Sequence, residues 1–94
     1  MAAAVCRLPT AHASRYLQQL CKHWGHKFPV EFTPETGRIE LSAGILVLDA
    51  DEQGLGLRLT ADAAQLTRME AVVADHLQRF AFRETLTFQW AEPA

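Results

Sequence analysis

The sequence predicts an α+β two-layer sandwich, in the order β-α-β-β-β-β-α-β, with a mostly antiparallel sheet and two helices on one face. Three observations carry this expectation. Apolar residues recur at helical spacing over 11–24 and again over 63–80. Between these stretches the chain runs through four short segments, most alternating with a period of two and each bounded by turn residues. Neither helical stripe can be buried without a sheet face to receive it.

The opening Ala3 to Leu8 reads as a short strand closed by Pro9. Thr10 is placed to cap a helix over about Ala11 to Trp24, whose stripe is Ala13, Tyr16, Leu17, Leu20, Cys21 and Trp24. Gly25 falls where helices commonly end in a left-handed residue, and Phe28-Pro29 stops any continuation. Val30 and Phe32 then alternate with Glu31 and Thr33. A turn, Pro34-Glu35-Thr36-Gly37, with its glycine at the expected left-handed position, leads to Ile39 and Leu41, which makes a hairpin.

Ser42-Ala43-Gly44 turns into Ile45-Leu46-Val47-Leu48, and the 51–54 turn leads to Leu55–Thr60, the clearest alternation in the chain. Asp49 and Asp51 read as turn formers. With no polar alternate, Ile45–Leu48 is expected to be a central strand with aliphatic side chains on both faces. That leaves a patch away from the helices and implies a symmetric homodimer through the open face, unless long side chains such as Arg58 or Gln89 cover it. Asp62 and Gln65 have capping-box spacing before a second helix, Ala63 to Phe80, with Leu66, Met69, Val73, Leu77 and Phe80 inward. Leu86, Phe88 and Trp90 alternate with Thr87 and Gln89 in a closing strand, and Glu92-Pro93-Ala94 is a tail.

A chain of 94 residues, 49% apolar and 21% charged, is expected to be one domain over 1–94. Its formal net charge of −2 gives no general attraction to nucleic acid. No stretch approaches the roughly 20 apolar residues of a membrane helix. The opening MAAAVCRLP lacks the apolar run of a signal peptide, so with only Cys6 and Cys21 present the expected location is cytoplasmic.

No catalytic motif is present: there is no G-x-S-x-G, glycine-rich phosphate loop or H-E-x-x-H, so neither an enzyme nor a cofactor is expected. The chemistry gathers instead where RYLQQLCKHWGHK runs out into Cys21, His23, His26 and Lys27. His12, Tyr16, Gln19 and His23 form a second line along one flank of the apolar stripe, which reads most simply as a solvated flank. C-x-H-x-x-H suits a transition metal by donor type, with His23, His26 and His76 as the ligands of that alternative. Yet Cys21 and His23 stand about 200° apart on a helix, which favours an inert, buried Cys21. The ligand-binding reading joins His23, His26 and Lys27 to His76, Arg79 and Arg83, with Tyr16 beside them and aromatic walls from Trp24, Phe80 and Phe82. Such a pocket suits a carboxylate or phosphate. In the blander reading His76 is a satisfied half-buried histidine and the arginines pair with Glu84, Glu70 or Asp75.

SRYLQQLCKHWGHKFPVEF followed by HLQRFAFRETLTFQW resembles the bacterial domain-of-unknown-function family 2218, over nearly the whole chain. The matching positions are Arg15, Tyr16, Cys21, His23, His26 and Lys27 in the first stretch, and His76, Arg79, Phe80, Phe82, Arg83 and Glu84 in the second. The resemblance implies a small bacterial protein of a kind sometimes found with siderophore-interacting flavoproteins, and so an accessory role in iron handling with such a partner. Three readings follow: a binding domain for an anionic small molecule, a metal or ferric-siderophore accessory protein, and an interaction module dimerising through its sheet.

Overall fold

The computed structural model describes residues 1–93. The elements are β1 (Ala2–Pro9), α1 (Ala13–Trp24), β2 (Val30–Phe32), β3 (Thr36–Leu41), β4 (Gly44–Ala50), β5 (Gly54–Ala61) and α2 (Ala63–Phe80). They form one sheet in the order β1-β5-β4-β3-β2, every neighbouring pair antiparallel. Both helices pack on the same face, the two-layer α+β arrangement the periodicity calls for.

The register explains why one face is covered. Cys6, Leu57, Leu48 and Gly37 stand in one cross-strand row, and Ala4, Leu59, Leu46 and Ile39 in the next. All are buried, beneath a stripe of Ala13, Tyr16, Leu17, Leu20, Cys21 and Trp24 from α1 and Met69, Val73 and Leu77 from α2. Burial of each large member is worth about 1.5–3 kcal/mol. The alternate rows are Val5, Arg58, Val47, Arg38 and Glu31, and Ala3, Thr60, Ile45 and Glu40. Of the run Ile45–Leu48, therefore, Leu46 and Leu48 face the helices, while Ile45 and Val47 lie half-buried on the open face beside charged and polar neighbours.

Several local expectations are corrected. No glycine among the described residues has positive φ. Gly25 continues right-handed at φ −62° and ψ −18°, and the chain leaves the helix through Lys27 and Phe28 amides that both donate to the Trp24 carbonyl. Gly37 lies inside β3 because Thr33 closes the hairpin: its hydroxyl oxygen accepts from the amides of Glu35 and Thr36 at 3.2 and 3.1 Å. Glycine is needed at 37 because α1 crosses there, and a Cβ would sit 2.9 Å from the Cys21 Sγ.

Thr10 accepts from the His12 amide at 3.1 Å, but regular helix begins only at Ala13. Asp62 precedes α2 without a side-chain cap, its backbone carbonyl taking the Gln65 amide at 2.8 Å. Asp51 is a turn former, accepting from the Gln53 and Gly54 amides, whereas Asp49 lies within β4 on the open face, in row with Gly56 and Arg7. The segment 86–90 builds no ladder. Gln78 fixes its start by accepting from the Leu86 amide at 2.9 Å, and among the described residues of this segment the single β-bridge to β1 is that of Ala91, which exchanges two backbone bonds with Val5 at 2.8 and 2.9 Å.

Candidate functional site

The last turn of α1 and the middle of α2 enclose a groove of about 520 Å³. The stripe of α1 drives Trp24 into the core, and its ring meets the His76 ring at 4.9 Å between centroids. One residue earlier on the exposed side, His23 lies 5.6 Å from His76 and edge-on to Phe80 at 5.9 Å. The right-handed exit after Trp24 then carries His26, Lys27 and Phe28 round the mouth. Phe28 packs edge-on against Trp24 at 6.4 Å, and the Lys27 ammonium lies 5.7 Å from the Phe28 centroid. Leu41, Ser42, Met69 and Val72 complete the lining.

His76 is oriented by its own helix. Its Nδ1 is 2.8 Å from the Val72 carbonyl oxygen. A carbonyl only accepts, so Nδ1 carries the proton, and in the neutral ring Nε2 holds the lone pair.

Five of the eight predicted ligand-binding residues thus come together: His23, Trp24, His26, Lys27 and His76. The other three do not. Arg79 points to the surface and pairs with Asp75 at 2.8 Å, one turn earlier on α2. Tyr16 and Arg83 line a separate cleft with Phe80 and Phe82. The reason is the pairing of the elements: His23 and Trp24 meet α2 at His76, while Tyr16, two turns earlier, meets Glu84 in the segment that follows the end of α2. The sequence does not mark Phe28, Leu41, Ser42, Met69 and Val72 as lining residues, since each carries only the signal of an ordinary core or turn position.

Among the described residues Glu84 pairs with no arginine. It accepts from the Tyr16 hydroxyl and, at 2.9 Å, from the Thr10 hydroxyl. These two donors, Tyr16 first, hold its carboxyl below the usual range. The Tyr16 phenol is pushed up, chiefly by burial and then by Glu84. Both thiols are buried and protonated: burial raises Cys6, and burial pushes Cys21 up to about 11. Cys21 faces Gly37 and His23 faces the groove, so C-x-H-x-x-H does not converge. Among the described residues no three of His, Cys, Asp or Glu are grouped to hold a metal ion. None of the described helices is long and apolar enough to cross a membrane.

Residues 5–91 match the family described as "Uncharacterized protein conserved in bacteria (DUF2218)". The chain belongs to this family. A solved structure with the same fold is the NMR structure of PA4090 from Pseudomonas aeruginosa, 42% identical, covering 97% of this chain and 96% of that one, with a TM-score of 0.80. No curated protein matches the chain. The groove therefore belongs to a DUF2218 fold that PA4090 shares over almost its entire length, and neither name carries a ligand or an activity.

Proposed function

We propose that this DUF2218 protein is a small binding or accessory domain, not an enzyme, and that the groove beside Trp24 takes an organic anion with an apolar or aromatic body. The observation that carries the reading is the lining itself: three imidazoles, one ammonium and one hydroxyl, with no carboxylate, around Trp24, Phe28, Leu41, Met69 and Val72. An apolar body displaces water from those side chains. Its acidic group meets Lys27 and the imidazoles at the mouth, where exposed charges orient a ligand more than they tighten it. The volume falls within the roughly 300–1,000 Å³ of small-molecule sites. Neither cysteine lines the groove, so no thiol nucleophile faces a ligand bound there. The donor geometry supports an organic anion over a metal ion, and the link to siderophore proteins rests on family resemblance alone.

The test is a titration with 2-naphthoate followed by NMR. Saturable shifts are expected at the Trp24 indole, the His23 and His76 rings and Lys27, with neutral 2-naphthamide binding roughly tenfold more weakly. His76→Ala and Lys27→Gln should each reduce affinity. Equal binding of acid and amide, or shifts confined to other surfaces, would remove the proposal.

A further inference from the structure

The flank His12, Tyr16, Gln19 and His23 leads from the groove to a second, smaller cleft on the far side of Phe80. It has a volume of about 210 Å³ and is lined by His12, Arg15, Tyr16, Gln19, Phe80, Phe82 and Arg83. We infer that this cleft is a second ligand site, separate from the groove, for a single-ring aromatic carboxylate.

Residues 1–30 contain Arg7, Arg15, Lys22 and Lys27 and no Asp or Glu, so α1 brings only cations to this flank although the whole chain has net charge −2. The ion pairs among the described residues are Arg7–Asp51, Arg38–Glu40 and Arg79–Asp75. Arg15 and Arg83 take part in none of them. The neighbouring carboxylate is Glu84, and it is engaged by the Tyr16 and Thr10 hydroxyls. Against its single negative charge stand two guanidinium groups and the His12 ring, and each guanidinium offers the fork that suits a carboxylate.

Tyr16, Phe80 and Phe82 supply three aromatic surfaces around one opening, with the His12 ring edge-on to Tyr16 at 6.1 Å. Phe82 is 78% exposed, an unusual position for a phenylalanine with nothing to cover it. Its ring is steadied by the Arg83 guanidinium, 5.4 Å from the centroid. A cavity of about 150 Å³ already admits benzene, so a cleft of this volume has room for one ring and its acid group. The Glu84 knot gives the placement its cause: tying residue 84 to Tyr16 holds Phe82 and Arg83 over the flank of α1.

The experiment is an NMR titration with benzoate, with benzamide and inorganic phosphate as controls, read at the His12 ring and at the Nε–H groups of Arg15 and Arg83. Saturable shifts there are expected, weakened roughly tenfold by Arg15→Ala and by Arg83→Ala. Both side chains are exposed, so the variants should fold, and their unchanged response to 2-naphthoate at His23 and His76 reports that the groove is intact. Benzoate shifts confined to the groove histidines, or none at all, would overturn the second site whatever the groove itself binds. Equal binding of benzamide would refute the charge argument, and equal binding of phosphate would refute the aromatic one.

Discussion

The two faces of β4 set the same residue type in opposite surroundings. Leu46 and Leu48 face the helices and are fully buried, while their immediate neighbours face outward, Ile45 between Thr60 and Glu40 and Val47 between Arg58 and Arg38. Four consecutive aliphatic residues thus divide into a core pair and a half-covered pair. Hydrophobicity made all four suited to a strand, and only the rows on either side decided what each one contacts. The stems of long side chains shield aliphatic neighbours while their charged ends stay in water, so the open face presents less apolar surface than the run itself suggests.

The same charge placed on each side should separate the two faces most strongly. Leu46→Glu should leave the protein largely unfolded, because an unpaired carboxylate beneath the helices costs several kcal/mol against a total stability of about 5–15 kcal/mol. Val47→Glu should remain folded, with a urea midpoint close to that of the wild type. Two equal losses would mean that the open face is not open. The same variant tests self-association: a dimer held by Ile45 and Val47 should fall to monomer mass in light scattering, and a wild type that runs as a monomer at high micromolar concentration removes the dimer reading.

A smaller effect probes the covered face where α1 lies closest. In Gly37→Ala the new Cβ meets the Cys21 Sγ at 2.9 Å and a Leu48 methyl at 3.3 Å. The expected loss is about 1–3 kcal/mol. Adding Cys21→Ala should restore part of it, since the sulfur is the nearest obstacle, and denaturation of the single and double variants measures the coupling. Strict additivity would show that α1 does not rest on Gly37.

The Glu84 knot should give an effect of about 1–2 kcal/mol in Tyr16→Phe, which removes one donor to a part-buried carboxylate. Its pH dependence has a definite sign. The folded carboxyl lies below its ordinary value, so its contribution is present above the unfolded value of about 4.3 and lost as the pH falls through the folded one. The stability gap between wild type and Glu84→Gln should therefore be constant near neutral pH and shrink on acidification below about pH 4. A gap that stays unchanged down to pH 2 would mean that the hydroxyls do not favour the ionised form.

Both helices, the antiparallel meander and the inward stripe of each helix are legible in the residue order, because burial against a single partner face writes its period directly into it. The same period misled at 86–90. There Leu86, Phe88 and Trp90 turn inward in alternation, but one-sided burial needs no ladder, and the contact with β1 is a single bridge at Ala91 among the described residues. It also left Gly25 and Gly37 open to a left-handed reading, whereas the glycine at 37 answers to a helix packed on it from a distant part of the chain. For the groove, helix phase was enough to single out His23, Trp24 and His76. That Arg79 turns to Asp75, that Arg83 and Tyr16 belong to the second cleft, and that Phe28, Leu41 and Met69 line the first came from the packing of the elements. Phase fixes the side of a helix on which a residue lies, but which turn of one helix meets which turn of the other depends on the packing of the whole sandwich.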